Sequence, residues 1–265
     1  MATANLIISA IGDRSVHSTW ISGPERPDFD LFLIYYGDLS DFAKSDATFY
    51  VRRKGFKWEH IHFAIDRLGD ALNAYERIWC PDDDIACDTA NVNLLFEIFE
   101  RYQLQLAQPA VSRGQFSFKG LAQRRGKILR YSPYVEVMCP IFTRSAIQKV
   151  QHTFLENRSG WGIDWIWPRH FAENQIAVID KVGVHHTGQL GKGENYQNLA
   201  SLGIDPAREF EDTVGRHGGF DRQILRRMLH GWLRMRSIKD PDDNRTVWKR
   251  IADEIRWLRL RRGAA

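Results

Sequence analysis

With 265 residues, 43% of them apolar and 26% charged, the chain has the make-up of a folded globular protein, which excludes wholesale disorder and a small stapled scaffold. Its net charge of +4 is uneven: from Asp221 onward 13 Lys and Arg stand against 6 Asp and Glu, so that stretch carries +7 and the first 220 residues −3. Three cysteines, Cys80, Cys87 and Cys139, form no CxxC pair, which argues for buried thiols in a reducing compartment and against a disulfide framework.

The first apolar run, Leu6 to Ile11, lacks a basic flank and is too short for a secretory leader, and no run of about 18 apolar residues follows. The expected location is the cytoplasm. That run closes on Gly12-Asp13 and reads as a buried strand; Asp30 to Tyr36 closes on Gly37-Asp38 in the same way. Both faces of each run are apolar, as in central parallel strands. Between them, His17 to Trp20 starts a short helix ended by Gly23-Pro24. Trp58, Ile61, Ile65, Leu68 and Leu72 recur at spacings of three and four, which predicts an amphipathic helix. A strand over Tyr75 to Cys80 then runs into Asp82, Asp83 and Asp84. Asp88 or Thr89 caps the next helix, whose stripe of Leu94, Leu95, Ile98, Phe99 and Tyr102 is core. Strands alternating with helices predict an open parallel sheet, and ligands bind such sheets beyond the carboxyl ends of the strands. Asp13, Asp38 and the aspartate triplet all fall there.

Further along, Ser112 to Arg130 holds six basic residues and few apolar anchors, and reads as an exposed basic loop. Tyr134 to Phe142 (YVEVMCPIF) reads as a strand, with Glu136 inside an apolar run. Ser145 to Leu155 suits a helix; GWGIDWIW follows at Gly160 to Trp167, and Gln175 to Val184 predicts a strand leading into His185-His186-Thr187. GRHGGF, at Gly215 to Phe220, follows no strand and reads as a loop. Neither GxGxxG nor GxxxxGK[ST] occurs, so a dinucleotide fingerprint and a P-loop are both unsupported. In the last 60 residues, Ile224, Leu225, Met228, Leu229, Trp232 and Leu233 form one helical face; Trp248, Ile251, Ile255 and Leu258 form another, and both are set among arginines. Three readings are open for this basic tail: a helical pair packed on the domain, a surface attracted to anionic lipid, or a nucleic-acid patch, the last lacking any recognition motif.

Two readings are also open for the triplet. Aspartates are common in strand-to-helix turns because they tolerate turn geometry and cap helices. Three carboxylates at the end of a buried strand nevertheless repel one another unless a cation offsets the charge, and hard divalent ions take such oxygens together with phosphates. The ordered set IISAIGD, WCPDDDI, YVEVMCPIF, GWGIDWIW and IDKVGVHHT resembles the metal-dependent glycosyltransferases of the GT-A fold. More closely, it looks like a poorly characterised glycosyltransferase-like family of bacteria and plants, and the likeness spans residues 5 to 190.

That resemblance implies an α/β fold, a mostly parallel open sheet flanked by helices, over residues 1–200; the tail over 201–265 lies outside it and is expected as a basic helical extension packed on or beside the domain. It implies Mn²⁺ or Mg²⁺ held by Asp82, Asp84 and His186, the last followed by Thr187 as in the family pattern. A UDP- or GDP-sugar donor follows, with Asp83 at the ribose or sugar and Asp13, Arg14, Tyr35, Tyr36 and Asp38 about the base and ribose. The implied acceptor is a glycan or lipid-linked chain of cell-surface polysaccharide; of the readings of the tail, an anionic membrane surface would place the enzyme beside such an acceptor, and no nucleic acid is expected.

Asp164 is the candidate catalytic base. Trp161 and Trp165 flank it, and apolar surroundings raise a carboxylate's pKa toward the useful range while the rings offer a sugar a stacking surface. The alternative is a loop with a helix-capping Asp and core tryptophans. Glu136 is a rival acid: inside an apolar strand it needs a partner, either acceptor hydroxyls or a neighbouring Arg. The competing function is a catalytically silent binding protein on the same fold.

Overall fold

In the computed structural model, which describes residues 3–219 and 235–259, every residue of β1 (Asn5–Ile11) is buried, as its unbroken apolar run predicts. β2 (Asp30–Tyr35) pairs with β1 in parallel, from Leu6 opposite Asp30 to Ile11 opposite Tyr35. β3 (Phe49–Arg52) continues the parallel set outward from β2, and β4 (Arg77–Trp79) lies on the other side of β1. β5 (Ile85–Ala86), β6 (Leu106–Arg113), β7 (Lys127–Tyr131), β8 (Ile141–Thr143), β9 (Ile176–His186) and β10 (Ser237–Lys239) complete one mixed sheet. Among the described residues its order is β10-β7-β9-β6-β8-β4-β1-β2-β3, with β5 paired to β9. The parallel half, β3 to β4, brings the ends of β1, β2 and β4 to one side, where the candidate acids lie.

Helices cover both faces of this open α/β sheet. α1 (Lys57–Leu68) buries Trp58, Ile61, Ile65 and Leu68 against Leu6, Ile8, Phe32 and Ile34. It stops a turn earlier than the apolar spacing predicts, because Gly69 adopts φ +50° and a 3₁₀ turn carries Leu72 into the same core. α2 (Thr89–Arg101) is capped by Asp88, whose carboxylate accepts from the Asn91 N–H at 2.9 Å. Its Val92, Leu95, Phe96, Ile98 and Phe99 pack on the opposite face with Trp20 and Trp79. Each such burial contributes about 1.5–3 kcal/mol, so the two apolar layers are what hold the strand ends in place. α3 (Arg144–Val150), α4 (Ile163–Ile166), α5 (Glu194–Ser201), α6 (Pro206–Arg216) and a helix over Val247–Arg259 complete the described elements.

Three expectations differ from the structure. The run Tyr134 to Phe142 is a strand only from Ile141, because its earlier backbone groups make no continuous ladder: the Glu136 N–H bonds Gln108 Oε1 at 2.7 Å and the Cys139 carbonyl Trp79 Nε1 at 3.0 Å, between main-chain bonds at Met138 and Pro140. Ser112 to Arg130 is not an exposed loop. It includes the end of β6 and most of β7, Leu121 and Ala122 are buried, and Arg130 is fully enclosed in an ion pair with Asp180, Nε to Oδ2 at 2.6 Å. The C-terminal segment is more than a helical extension, since β10 pairs antiparallel with β7 within the main sheet. The stripe Ile224 to Leu233 lies outside the described residues. No described helix is long and apolar enough to cross a membrane.

Candidate functional site

The chain turns at the end of β4, and main-chain bonds tie the triplet on both sides. The Asp82 N–H donates to the Met138 carbonyl and the Val16 N–H to the Asp83 carbonyl, each at 2.7 Å, while the Ile85 N–H closes on the Asp82 carbonyl. With the backbone fixed, the three carboxylates part company. Asp82 Oδ1 meets the Lys57 ammonium at 2.6 Å. Asp83 points back toward the sheet, where its Oδ2 accepts from the Gly12 N–H at 2.7 Å and the Tyr36 hydroxyl at 3.0 Å. Asp84 Oδ2 lies 3.2 Å from His186 Nε2, and Asp84 Oδ1 is buried with no hydrogen-bond partner.

Burial sets the protonation of these groups. It raises Asp82 even against the Lys57 charge, and it pushes Asp83 up to about 6 despite the Gly12 N–H. For His186 burial works downward, but the Asp84 carboxylate outweighs it and lifts the imidazole to about 9. The ring's Nδ1 lies 2.9 Å from the Gln115 carbonyl, so Nε2 is the nitrogen turned toward Asp84. Glycines make room here. A Cβ on Gly188 would overlap Asp84 Oδ2, and one on Gly114, at φ +93°, would overlap the His186 carbonyl.

The irregular stretch 134–140 is the spine that joins the triplet to the second pair of acids. Lys57 Nζ donates to the Val137 carbonyl at 2.6 Å and the Met138 carbonyl at 3.0 Å as well as to Asp82, which uses its three protons. The Val137 N–H in turn donates to Asp164 Oδ2 at 3.3 Å, and the Tyr134 hydroxyl donates to the same oxygen at 2.5 Å. Asp164 is buried in the first turn of α4, and burial, reinforced by the Glu136 charge, pushes it up to about 7 against those two donors. Glu136 is also buried and raised by burial. Its Oε1 accepts from Ser117 Oγ at 2.6 Å, and among the described residues no Arg pairs with it and its buried Oε2 has no partner. Both acids thus differ from ordinary capping or surface carboxylates.

Around the ends of β1 and β2 a third group forms. The Tyr35 hydroxyl donates to Asp13 Oδ1, the Asp38 N–H donates to the same oxygen at 3.2 Å, and the Leu39 N–H donates to the Tyr35 hydroxyl at 2.6 Å. The Tyr35 bond, the largest influence, holds Asp13 below the usual carboxylate range. Gly12 links this group to the triplet, since its N–H bonds Asp83 and its neighbour is Asp13. Asp38 is exposed and pairs with Lys54 at 2.7 Å; Arg14 is exposed and makes no hydrogen bond or ion pair among the described residues.

The sequence-derived residues therefore gather in three groups, about the triplet, about Asp164 and Glu136, and about Asp13, with Arg14 exposed beside the last. Asp84 pairs with His186 while Asp82 pairs with Lys57, and among the described residues no group of three His, Cys, Asp or Glu is arranged to hold a metal ion. Sequence reasoning missed Lys57, Tyr134 and Tyr196. Nothing local marks them: Lys57 is an ordinary first-turn lysine until the chain folds. Tyr196 on α5 accepts from Trp161 Nε1 at 3.1 Å; burial raises its hydroxyl, and the charges of Asp82, Glu136 and Asp84 add to that, which sets α5 close to the acidic cluster.

No family profile and no curated protein matches this sequence. Its backbone is similar to solved structures of S. aureus TarS. The crystal structure of TarS 1–349 in complex with UDP is 8% identical over 83% of this chain and 73% of that chain, with a TM-score of 0.49. The complex with UDP-GlcNAc is 10% identical over 83% and 74%, also at 0.49. A further TarS crystal structure is 9% identical over 83% of this chain and 44% of that one, at 0.46.

Proposed function

We propose that the chain is a glycosyltransferase that moves a sugar from a nucleotide-diphosphate donor, UDP or GDP, to a glycan or lipid-linked acceptor hydroxyl. The observation that carries this reading is the 134–140 spine. Through Val137 and Lys57 it fixes a buried acid near neutral pKa, Asp164, beside an acidic turn suited to a diphosphate and its counter-ion. A deprotonating base and a charge-balancing centre held by one rigid segment are what sugar transfer to a hydroxyl requires.

Each group then has a role. Asp13, Tyr35 and Asp38 form the donor's base and ribose wall, Asp83 braces the turn, and Arg14 is placed to meet anionic oxygens. Asp164 takes the acceptor hydroxyl's proton while that oxygen bonds to the anomeric carbon and the bond to the diphosphate breaks. Glu136 Oε2, buried and unpartnered, accepts from an acceptor hydroxyl. A divalent ion, Mn²⁺ or Mg²⁺, fits Asp84 and His186: an orphaned buried carboxylate oxygen beside an imidazole is a site with acceptor capacity to spare. Two protein ligands suffice where substrate phosphates complete the shell. The ion would neutralise charge on the departing diphosphate. Because His186 is raised to about 9, its engagement would release a proton, so metal affinity rises with pH up to that value. Asp82, held by Lys57, supports the turn from the other side. The proposed setting is an anionic membrane surface in the cytoplasm, beside the basic C-terminal segment.

Calorimetric titration of UDP and GDP, with Mn²⁺ and with EDTA, tests the reading. Metal-dependent binding of one nucleotide that disappears in Asp84→Ala, with the melting temperature retained, is expected. Binding of neither nucleotide would overturn it.

A further inference from the structure

The helix Val247–Arg259 uses one side to fold and leaves the other unspent. On its inner side Trp257 is buried, with Arg124 and Arg130 over its ring at 4.6 and 5.7 Å and its Nε1 donating to the Ala122 carbonyl at 3.3 Å. Glu254 pairs with Arg124, and Asp253 with Arg245. On the outer side Trp248, Ile251 and Ile255 are 80%, 44% and 42% exposed, and spacings of three and four set them on one stripe.

The charges follow the same division. Every acid between residues 235 and 259 has a basic partner within the protein. Asp240 and Asp242 face Lys181 at 2.5 and 4.0 Å, Asp243 faces Arg245 at 2.6 Å, and Asp253 and Glu254 are paired as above. Lys249 and Arg256 are exposed and make no ion pair among the described residues. What the helix shows to solvent is therefore an apolar stripe, led by a tryptophan, with a cationic border and no uncompensated negative charge.

We propose that this helix docks the protein on an anionic lipid bilayer, with Trp248, Ile251 and Ile255 entering the headgroup boundary and Lys249 and Arg256 meeting lipid phosphates. An amphipathic helix lying in the interface needs this pairing of an insertable stripe with a basic border, and tryptophan favours that depth. Charge complementarity selects the bilayer over a second copy of the chain, since two identical cationic borders repel. The +7 carried from Asp221 onward strengthens the attraction, at roughly tenfold or less in affinity per basic residue close to the surface. The proposal supplies the residues behind the membrane setting given above, and it is read separately from nucleotide binding, so failure of either is distinguishable.

The test is sedimentation of the full chain with sucrose-loaded vesicles of phosphatidylcholine containing about 30 mol % phosphatidylglycerol, against vesicles of phosphatidylcholine alone. Binding to the anionic vesicles, weakened by about 0.5 M salt, is expected. Trp248→Ala/Ile251→Ala should lower the vesicle affinity about tenfold or more, with UDP binding and the circular dichroism spectrum unchanged. A Lys249→Gln/Arg256→Gln variant, which keeps the stripe, should lose the preference for the anionic lipid. No sedimentation with anionic vesicles, or sedimentation unaffected by the Trp248/Ile251 pair, would overturn the proposal. So would a concentration-dependent dimer that the same pair dissolves without any vesicle binding.

Discussion

At the scale of single residues, the site depends on where burial leaves a carboxylate. Asp164 is raised to about 7 chiefly because it is buried, so it is a weak acid near neutral pH and a usable base just above it. Transfer rate should therefore rise with pH through about 7, and Asp164→Asn should slow it by a factor on the order of 10² to 10⁴ while leaving donor affinity intact. Folding stability should move the opposite way. A raised acid pKa means that the native state holds the proton more tightly than the unfolded chain, so its contribution falls as pH rises from about 4 to about 7, by up to ~1.4 kcal/mol per pH unit. Melting of the wild type and Asp164→Asn across that window would reveal the slope and its loss. Gly188 gives a steric counterpart. Its added methyl group would occupy the space of Asp84 Oδ2, so Gly188→Ala should weaken metal-dependent nucleotide binding at least tenfold with little change in melting temperature, as calorimetry would measure.

At the scale of elements, β7 and β9 are locked by the enclosed Arg130–Asp180 pair, whose second bond, Arg130 Nη2 to Asp180 Oδ1, is 2.9 Å. Asp180 also accepts from the Arg124 N–H at 2.8 Å, which draws in the connection between β6 and β7 and, through it, the helix that carries Trp257. Asp180→Ala would strand a buried guanidinium, and urea unfolding should register a loss of about 3–5 kcal/mol. Arg130→Met combined with Asp180→Leu should recover most of it, because the pair's desolvation cost goes when both charges go. The basic spacing of Ser112 to Arg130 suggested a solvated loop, since a lone sequence does not reveal that its last arginine meets an aspartate 50 residues on. Likewise the apolar run at Tyr134 reads as a strand because periodicity reports burial. It does not report whether the backbone bonds a neighbouring strand or, as here, the side chains of Gln108, Lys57 and Trp79.

For the whole molecule, ligand binding should be visible as stability. If UDP and Mn²⁺ bind the native state alone, ligand at about a hundredfold over its dissociation constant raises unfolding free energy by about 2.7 kcal/mol. Thermal scans with both ligands should show this shift, and scans with UDP plus EDTA should not. By itself the sequence determined the parallel core strands, the acids at their ends, and a histidine at the close of β9, because apolar runs, turn residues and strand ends are local features of the chain. Only the tertiary structure decided that Lys57 rather than a third acid accompanies Asp82, that Asp83 braces Gly12, and that Val137 joins the triplet to Asp164. Those contacts join residues 25, 71 and 27 positions apart, and such partners are set by how the layers close over the sheet, which no local pattern encodes.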